Sequence, residues 1–237
     1  MANQTPYCST NNSSNSFDER ELKFELVEFA QNPEPRCPCI LLLDTSGSMY
    51  GEPINQLNQG LKEFKKQLVN DELAAKRVEV SVVSFNSEVE VLNNFETANS
   101  FNAPTLNTCG CTEMGRAIEV AINMLEKRKA DYKNSGISYY RPWIFLITDG
   151  APTDDVTRAI SKVHEGEKRK EFAFFAVGTE GADIYTLNQI SVREALTLQG
   201  LNFTALFQWL SNSMCSVSRS TLDAEIVLEA PIGWAKI

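Results

Sequence analysis

One carboxylate and two hydroxyls fall within five consecutive residues, at Asp44, Ser46 and Ser48. All three side chains offer hard oxygen donors, the kind that Mg²⁺ and other small divalent cations take. Gly47, between the serines, lets the turn bend tightly enough to aim both hydroxyls at one point. Residues 40–43, Ile-Leu-Leu-Leu, run into Asp44 without polar alternation. Such a run reads as a strand covered on both faces, as in parallel sheets. Asp44 then stands at the strand's carboxyl end, where open α/β sheets bind ligands.

The elements around this motif alternate between strand and helix. Pro53 opens a helix whose inward stripe is Ile54, Leu57, Leu61, Phe64 and Leu68. Strands follow at 78–85 and 88–92, then a long irregular stretch over 93–111, broken by Asn93, Asn94, Pro104 and Gly110. A helix opens at Thr112 and buries Ala117, Ile118, Ala121, Ile122 and Leu125. Residues 130–142 are polar and read as a surface loop. The apolar run 143–148, WIFLIT, is a strand ending at Asp149-Gly150. Asp154 or Asp155 would cap a helix over 155–169. A strand at 172–177, a short helix at 184–190, a weak strand at 195–198 and a helix at 203–217 complete the pattern. It predicts an α/β fold: a Rossmann-like, doubly wound, mainly parallel sheet with helices on both faces. The two most apolar strands, 40–43 and 143–148, should lie side by side at its centre.

The stretch ILLLDTSGSM resembles the metal-ion-dependent adhesion site of von Willebrand factor type A domains, whose first motif is Asp-x-Ser-x-Ser. That family adds a Thr from a second loop, in Gly-x-Thr before a helix, and an Asp from a third, in Thr-Asp-Gly after an apolar strand. Gly110-Cys111-Thr112 and Thr148-Asp149-Gly150 match these. The resemblance covers about residues 38 to 218. It implies a metal site of Asp44, Ser46, Ser48, Thr112 and Asp149, holding Mg²⁺ (or Mn²⁺ or Ca²⁺) and taking an acidic side chain of a protein partner as a further ligand. The partner-binding rim is expected beside those ligands, at Met49 and Tyr50, the 93–111 loop and the 150–155 loop, which begins at Gly150. Cys111 is a departure, since family members usually carry a small residue such as Ser there. More narrowly, LLLDTSGSMYGEPINQLNQGL, SFNSEVEV and FLITDGAPTDD are similar to the bacterial tellurium-resistance type of the family. That likeness implies a stress-response component associated with a protein kinase and a protein phosphatase.

A rival with a similar strand-terminal Asp is the Mg²⁺-dependent phosphatase or phosphotransferase of haloacid-dehalogenase type. It needs a second Asp two residues on, as general acid, and here that position is Ser46. There is no phosphate loop and no Gly-x-Gly-x-x-Gly. The one histidine, His164, lies in a polar helix with no Gly-x-Ser-x-Gly elbow anywhere in the chain, against a serine hydrolase. These absences point to a binding module rather than an enzyme.

With a net charge of −9 and its basic clusters, at 65–66, 127–129 and 168–170, set in helices among acidic residues, the chain is a poor nucleic-acid binder. No apolar stretch reaches the ~18–20 residues of a membrane span. Residues 1–17 have neither a basic start nor an apolar core, so no secretion signal is expected and the expected compartment is the cytoplasm. Its six cysteines should then be thiols. The pairs Cys37/Cys39 and Cys109/Cys111 fall at opposite ends of a strand, ~16 Å apart, too far for one zinc site. The expected organisation is a flexible arm over 1–20, an extra strand and linker over 21–36 (the strand at 21–29, the proline-rich stretch running over 31–38 into the central strand), the domain over 37–219, and an extension over 220–237. The alternating segments 21–29 and 222–229 are expected to pair or to extend the sheet edge, and the apolar 231–234 to cover the domain or dock.

Overall fold

The computed structural model describes residues 29–179, 181–222, 235 and 236. The chain divides into two units, residues 1–33 and 34–237. Of the first, only 29–33 are described, and 29–31 are helical. The expected arm, most of the strand over 21–29, and the segments 223–229 and 231–234 lie outside the described residues.

The second unit begins with β1 (Cys37–Asp44), a 3-10 turn at Gly47–Met49, α1 (Glu52–Asn70) and a helical turn at Ala74–Arg77. Then come β2 (Val78–Phe85), β3 (Val89–Thr97), α2 (Met114–Asn134), β4 (Trp143–Thr148), α3 (Thr157–Lys168) and β5 (Ala173–Gly178). The unit ends with α4 (Ile184–Ile190), β6 (Leu196–Leu198), α5 (Phe203–Arg219) and β7 (Ala235–Lys236). The sheet order is β3-β2-β1-β4-β5-β6-β7. The pairs β2–β3 and β6–β7 are antiparallel and the rest are parallel.

β1 and β4 are neighbours, with Leu43 opposite Ile147, so Asp44 and Thr148 leave the sheet at the same level. Residues 40–43 lack alternation because each face of β1 has its own core. Leu41 and Leu43 pack with Leu57, Phe64, Phe207 and Leu210 of α1 and α5. Ile40 and Leu42 pack with Ile118, Ile122, Val163 and Leu187 of α2, α3 and α4. Each of these buried side chains stabilises the fold by ~1.5–3 kcal/mol. Together they hold β1 firmly enough to keep a carboxylate buried at its end.

Three boundaries differ from the sequence reading by more than a residue or two. β1 starts at Cys37, inside the expected linker, with Pro38 as its second residue, where a missing N–H is tolerated. β3 runs on to Thr97, taking in Asn93 and Asn94, because an edge strand leaves polar side chains half-exposed. α2 continues to Asn134, into the first part of the expected loop, while 135–142 are not helical. Its polar end reads as loop, yet two of its polar side chains, Arg128 and Tyr132, are buried partners. Arg128 donates to both Glu79 carboxylate oxygens at 3.0 and 2.9 Å, and the Tyr132 hydroxyl donates at 2.5 Å. Arg36 Nε donates to Glu79 Oε1 at 2.8 Å. The set ties β2, α2 and the entry to β1 together at the amino end of the sheet.

Candidate metal centre

At the carboxyl end, three loops meet. Asp44 is fully buried, and its Oδ1 accepts the Ser46 amide at 2.8 Å. Its Oδ2 accepts the Thr148 hydroxyl at 2.5 Å. The Ser46 and Ser48 hydroxyls are 3.0 Å apart, and Ser48 donates to Asp149 Oδ1 at 2.7 Å. Thr112 faces the same space: a Cβ placed on Gly150 would stand 3.7 Å from Thr112 Oγ1 and 3.9 Å from Ser48 Oγ. Asp44, Ser46, Ser48, Thr112 and Asp149 are thus brought to one place from three separate loops.

The loops are braced by Gly47 and Gly110 together with residues the sequence reading gave no role, Thr45, Asn86, Ser87 and Thr153. Thr45 ties the first loop to its neighbours. Its amide donates to the Phe85 carbonyl, its carbonyl accepts the Cys109 amide, and its hydroxyl accepts the Asn86 side-chain amide. The Gly47 amide donates to the Gly110 carbonyl at 3.0 Å, joining first and second loops. Gly110 has φ +68°, and a Cβ there would come within 2.2 Å of Ser87 Oγ, so only glycine fits. Ser87 Oγ accepts the Cys111 amide at 2.9 Å. Between second and third loops, the Thr112 amide donates to Thr153 Oγ1 and the Thr153 amide to the Thr112 carbonyl.

Asp154 or Asp155 was expected to cap the helix that follows them, and Asp154 does not. Instead it caps α2, accepting the Gly115 and Arg116 amides at 3.0 and 2.8 Å. Asp155 makes the local turn, accepting from the amide and hydroxyl of Thr157. Motif spacing could not find this division of labour, because the helix that Asp154 caps lies 39 residues upstream.

The rim also needs a correction. Met49 is 0% exposed and packs in the core with Leu57 and Leu61, so it is no contact for a partner. An apolar side chain after the turn anchors the motif from below. Tyr50, 81% exposed, and Gly150 remain at the surface.

Burial raises the Asp44 carboxyl's pKa, the bonds from Thr148 and Ser46 lower it, and the Asp149 charge raises it again, leaving it above its ordinary value. The groups acting on it are hydroxyls, an amide and another carboxylate; no cationic side chain is among them. Two carboxylates and three hydroxyls form a hard donor set that suits Mg²⁺, which keeps several waters. Among the described residues no three His, Cys, Asp or Glu side chains cluster as metal ligands, so such a centre depends on its hydroxyls. Cys37 and Cys39 are buried in β1, while Cys109 and Cys111 are exposed on the second loop. His164 is exposed on α3 and bonds the Gln189 carbonyl at 3.0 Å. No helix among the described residues is long and apolar enough to cross a membrane.

No curated protein matches the chain. Among solved structures, the fold is similar to a von Willebrand factor type A protein from Catenulispora acidiphila, at 17% identity and TM-score 0.59, covering 76% of this chain and 43% of that one. It is also similar to the pilus adhesin SpaC of Lactobacillus rhamnosus GG in its open conformation (16%, TM-score 0.60, 76% of this chain, 30% of that one). A third likeness is to the vWF domain of the type V pili tip protein Mfa5 from Porphyromonas gingivalis (12%, TM-score 0.57, 79% of this chain, 98% of that one). The chain spans less than half the length of the first two. The family model of the von Willebrand factor type A domain matches residues 39–206. Nothing supports the haloacid-dehalogenase alternative, and on a match over more than half of its length the chain belongs to the von Willebrand factor type A domain family.

Proposed function

We propose that the chain is a metal-dependent protein-interaction module. Asp44, Ser46, Ser48, Thr112 and Asp149 would hold a divalent cation, Mg²⁺ or in its place Mn²⁺ or Ca²⁺, and a protein partner would add a carboxylate as a further ligand. The observation that carries this reading is a buried carboxylate, Asp44, with a second one, Asp149, acting on it and no cationic side chain among its partners. A desolvated carboxylate beside a like charge gains from a cation. Three of the five donors are neutral hydroxyls, so a bound cation would keep much of its charge and supply Lewis acidity toward an incoming carboxylate. Gly150 leaves the approach open, and Tyr50, two residues after Ser48, offers an exposed aromatic face.

Members of this family are typically protein-interaction modules, which supports binding rather than turnover. The sequence motifs shared with the tellurium-resistance type support a place in a bacterial stress-response system, with a kinase and phosphatase pair as candidate partners. A cytoplasmic compartment, in which its cysteines would be thiols, belongs to the same reading. The acidic balance of −9 disfavours nucleic acid as a partner.

The test is capture of partners from native lysate with wild type and Asp44→Ala, each with Mg²⁺ and with chelator. Partners held only by wild type with Mg²⁺ would support the module. The same partners in all four conditions would overturn metal dependence.

A further inference from the structure

The second loop carries a feature that metal binding does not use. Cys109 and Cys111 are both free and both exposed, with the chain bending between them at Gly110. A bend of this kind brings Cα atoms two residues apart inside the roughly 4.4–6.8 Å that a disulfide spans. The same three residues carry the contacts that seat the loop. The Cys109 amide donates to the Thr45 carbonyl at 2.9 Å, and the Gly110 carbonyl accepts the Gly47 amide at 3.0 Å. The Cys111 amide donates to Ser87 Oγ at 2.9 Å, with Gly110 pressed against that side chain. The next residue is Thr112. A disulfide across 109–111 closes a small, stiff ring around Gly110, and any turn of the backbone that its geometry demands falls on these three bonds.

We propose that Cys109 and Cys111 form a dithiol–disulfide modification site that takes hydrogen peroxide as its oxidant, and that oxidation detaches the second loop from the 46–48 turn and weakens the cation site. The coupling to the cation rests on the metal-centre reading above. In the first step one thiol sulfur attacks a peroxide oxygen; the O–O bond breaks, a sulfenic acid forms, and the displaced oxygen takes the thiol proton and leaves as water. The second thiol sulfur then attacks the first and displaces the sulfenic hydroxyl, which takes the second thiol proton and leaves as water. Two thiols and one peroxide give one disulfide and two waters, the sulfurs losing two electrons and the peroxide gaining them.

The experiment treats the full chain with equimolar hydrogen peroxide and follows three readouts. Peptide mass spectrometry should find the segment bearing 109–111 lighter by two hydrogens, and a dithiol reductant should restore it. Hydrogen exchange at the Gly47 amide should quicken on oxidation. Mn²⁺ affinity should fall about tenfold, the equivalent of losing one or two backbone hydrogen bonds. The double variant Cys109→Ser, Cys111→Ser should bind Mn²⁺ like reduced wild type and ignore peroxide. Sulfinic or intermolecular products without the internal disulfide would overturn the modification site. A disulfide that leaves both Gly47 exchange and Mn²⁺ affinity unchanged would overturn the coupling. If reduced wild type binds no Mn²⁺, the metal-centre reading fails, while the mass and exchange readouts still decide the modification site and the detachment of its loop.

Discussion

Two carboxylates are buried at opposite ends of adjacent central strands, and their surroundings differ. Glu79, near the amino end of β2, meets two guanidinium groups and a phenol. Asp44, at the carboxyl end of β1, meets an amide and a hydroxyl, with Asp149 acting on it unfavourably. Burial and then the Glu79 charge push the Tyr132 phenol well above its usual range, which keeps it a hydrogen-bond donor. At the amino end the protein supplies its own counter-charge, and the result is structural. At the carboxyl end it supplies oxygen donors and no cationic side chain acts on Asp44, which is the arrangement that the proposed cation site needs.

Removing each carboxylate separates the two ends. Glu79→Ala leaves Arg36 and Arg128 buried without their shared partner, and should cost about 3–5 kcal/mol in urea unfolding, with or without Mg²⁺. A loss under about 1 kcal/mol would show that the network does not hold the amino end. Asp44→Asn should leave the metal-free protein within about 1 kcal/mol of wild type, since it removes an uncompensated charge and keeps the shape. The same variant should lack the stabilisation by Mg²⁺, which for wild type reaches about 2.7 kcal/mol at a hundredfold excess over Kd. Mg²⁺ stabilising both proteins equally would place the cation elsewhere.

Two smaller changes probe how the carboxyl end is held. Asp154→Ala removes the cap of α2 and should cost about 1 kcal/mol, while also weakening Mn²⁺ affinity because Thr112 precedes that helix. Asp154→Asn should recover most of both; a stability loss with unchanged Mn²⁺ affinity would show that the cap does not position Thr112. Gly150→Ala should have the smallest effect on folding, within about 0.5 kcal/mol, because a methyl there meets its neighbours at ordinary contact distance. It should nonetheless reduce partner capture, since that methyl would occupy the approach between Thr112 and Ser48. Undiminished capture would show that partners approach from another side.

The carboxyl end was the more legible end in the sequence. Asp-x-Ser-x-Ser is local, and the apolar runs at 40–43 and 143–148 locate the strand ends that carry Asp44 and Asp149. Periodicity also placed the helix cores and the adjacency of β1 and β4. What spacing could not show was long-range pairing. Arg128 and Tyr132 sit in segments whose polarity reads as solvent-facing, yet they satisfy Glu79 of the strand at 78–85 across 49 and 53 residues. Asp154 caps a helix far upstream for the same reason. Met49 looked like part of the rim because it follows Ser48, but the 3-10 turn at Gly47–Met49 rotates it into the core and leaves Tyr50 outside.

The most direct test of the difference between the two ends is a calorimetric titration of Mg²⁺ into the purified, metal-free chain, beside Asp44→Asn. One binding site is expected in wild type and none in the variant, with both proteins folded. A wild type that binds no cation, or a variant that binds it equally well, would contradict the claim that the carboxyl end of the sheet is built to be completed by a metal.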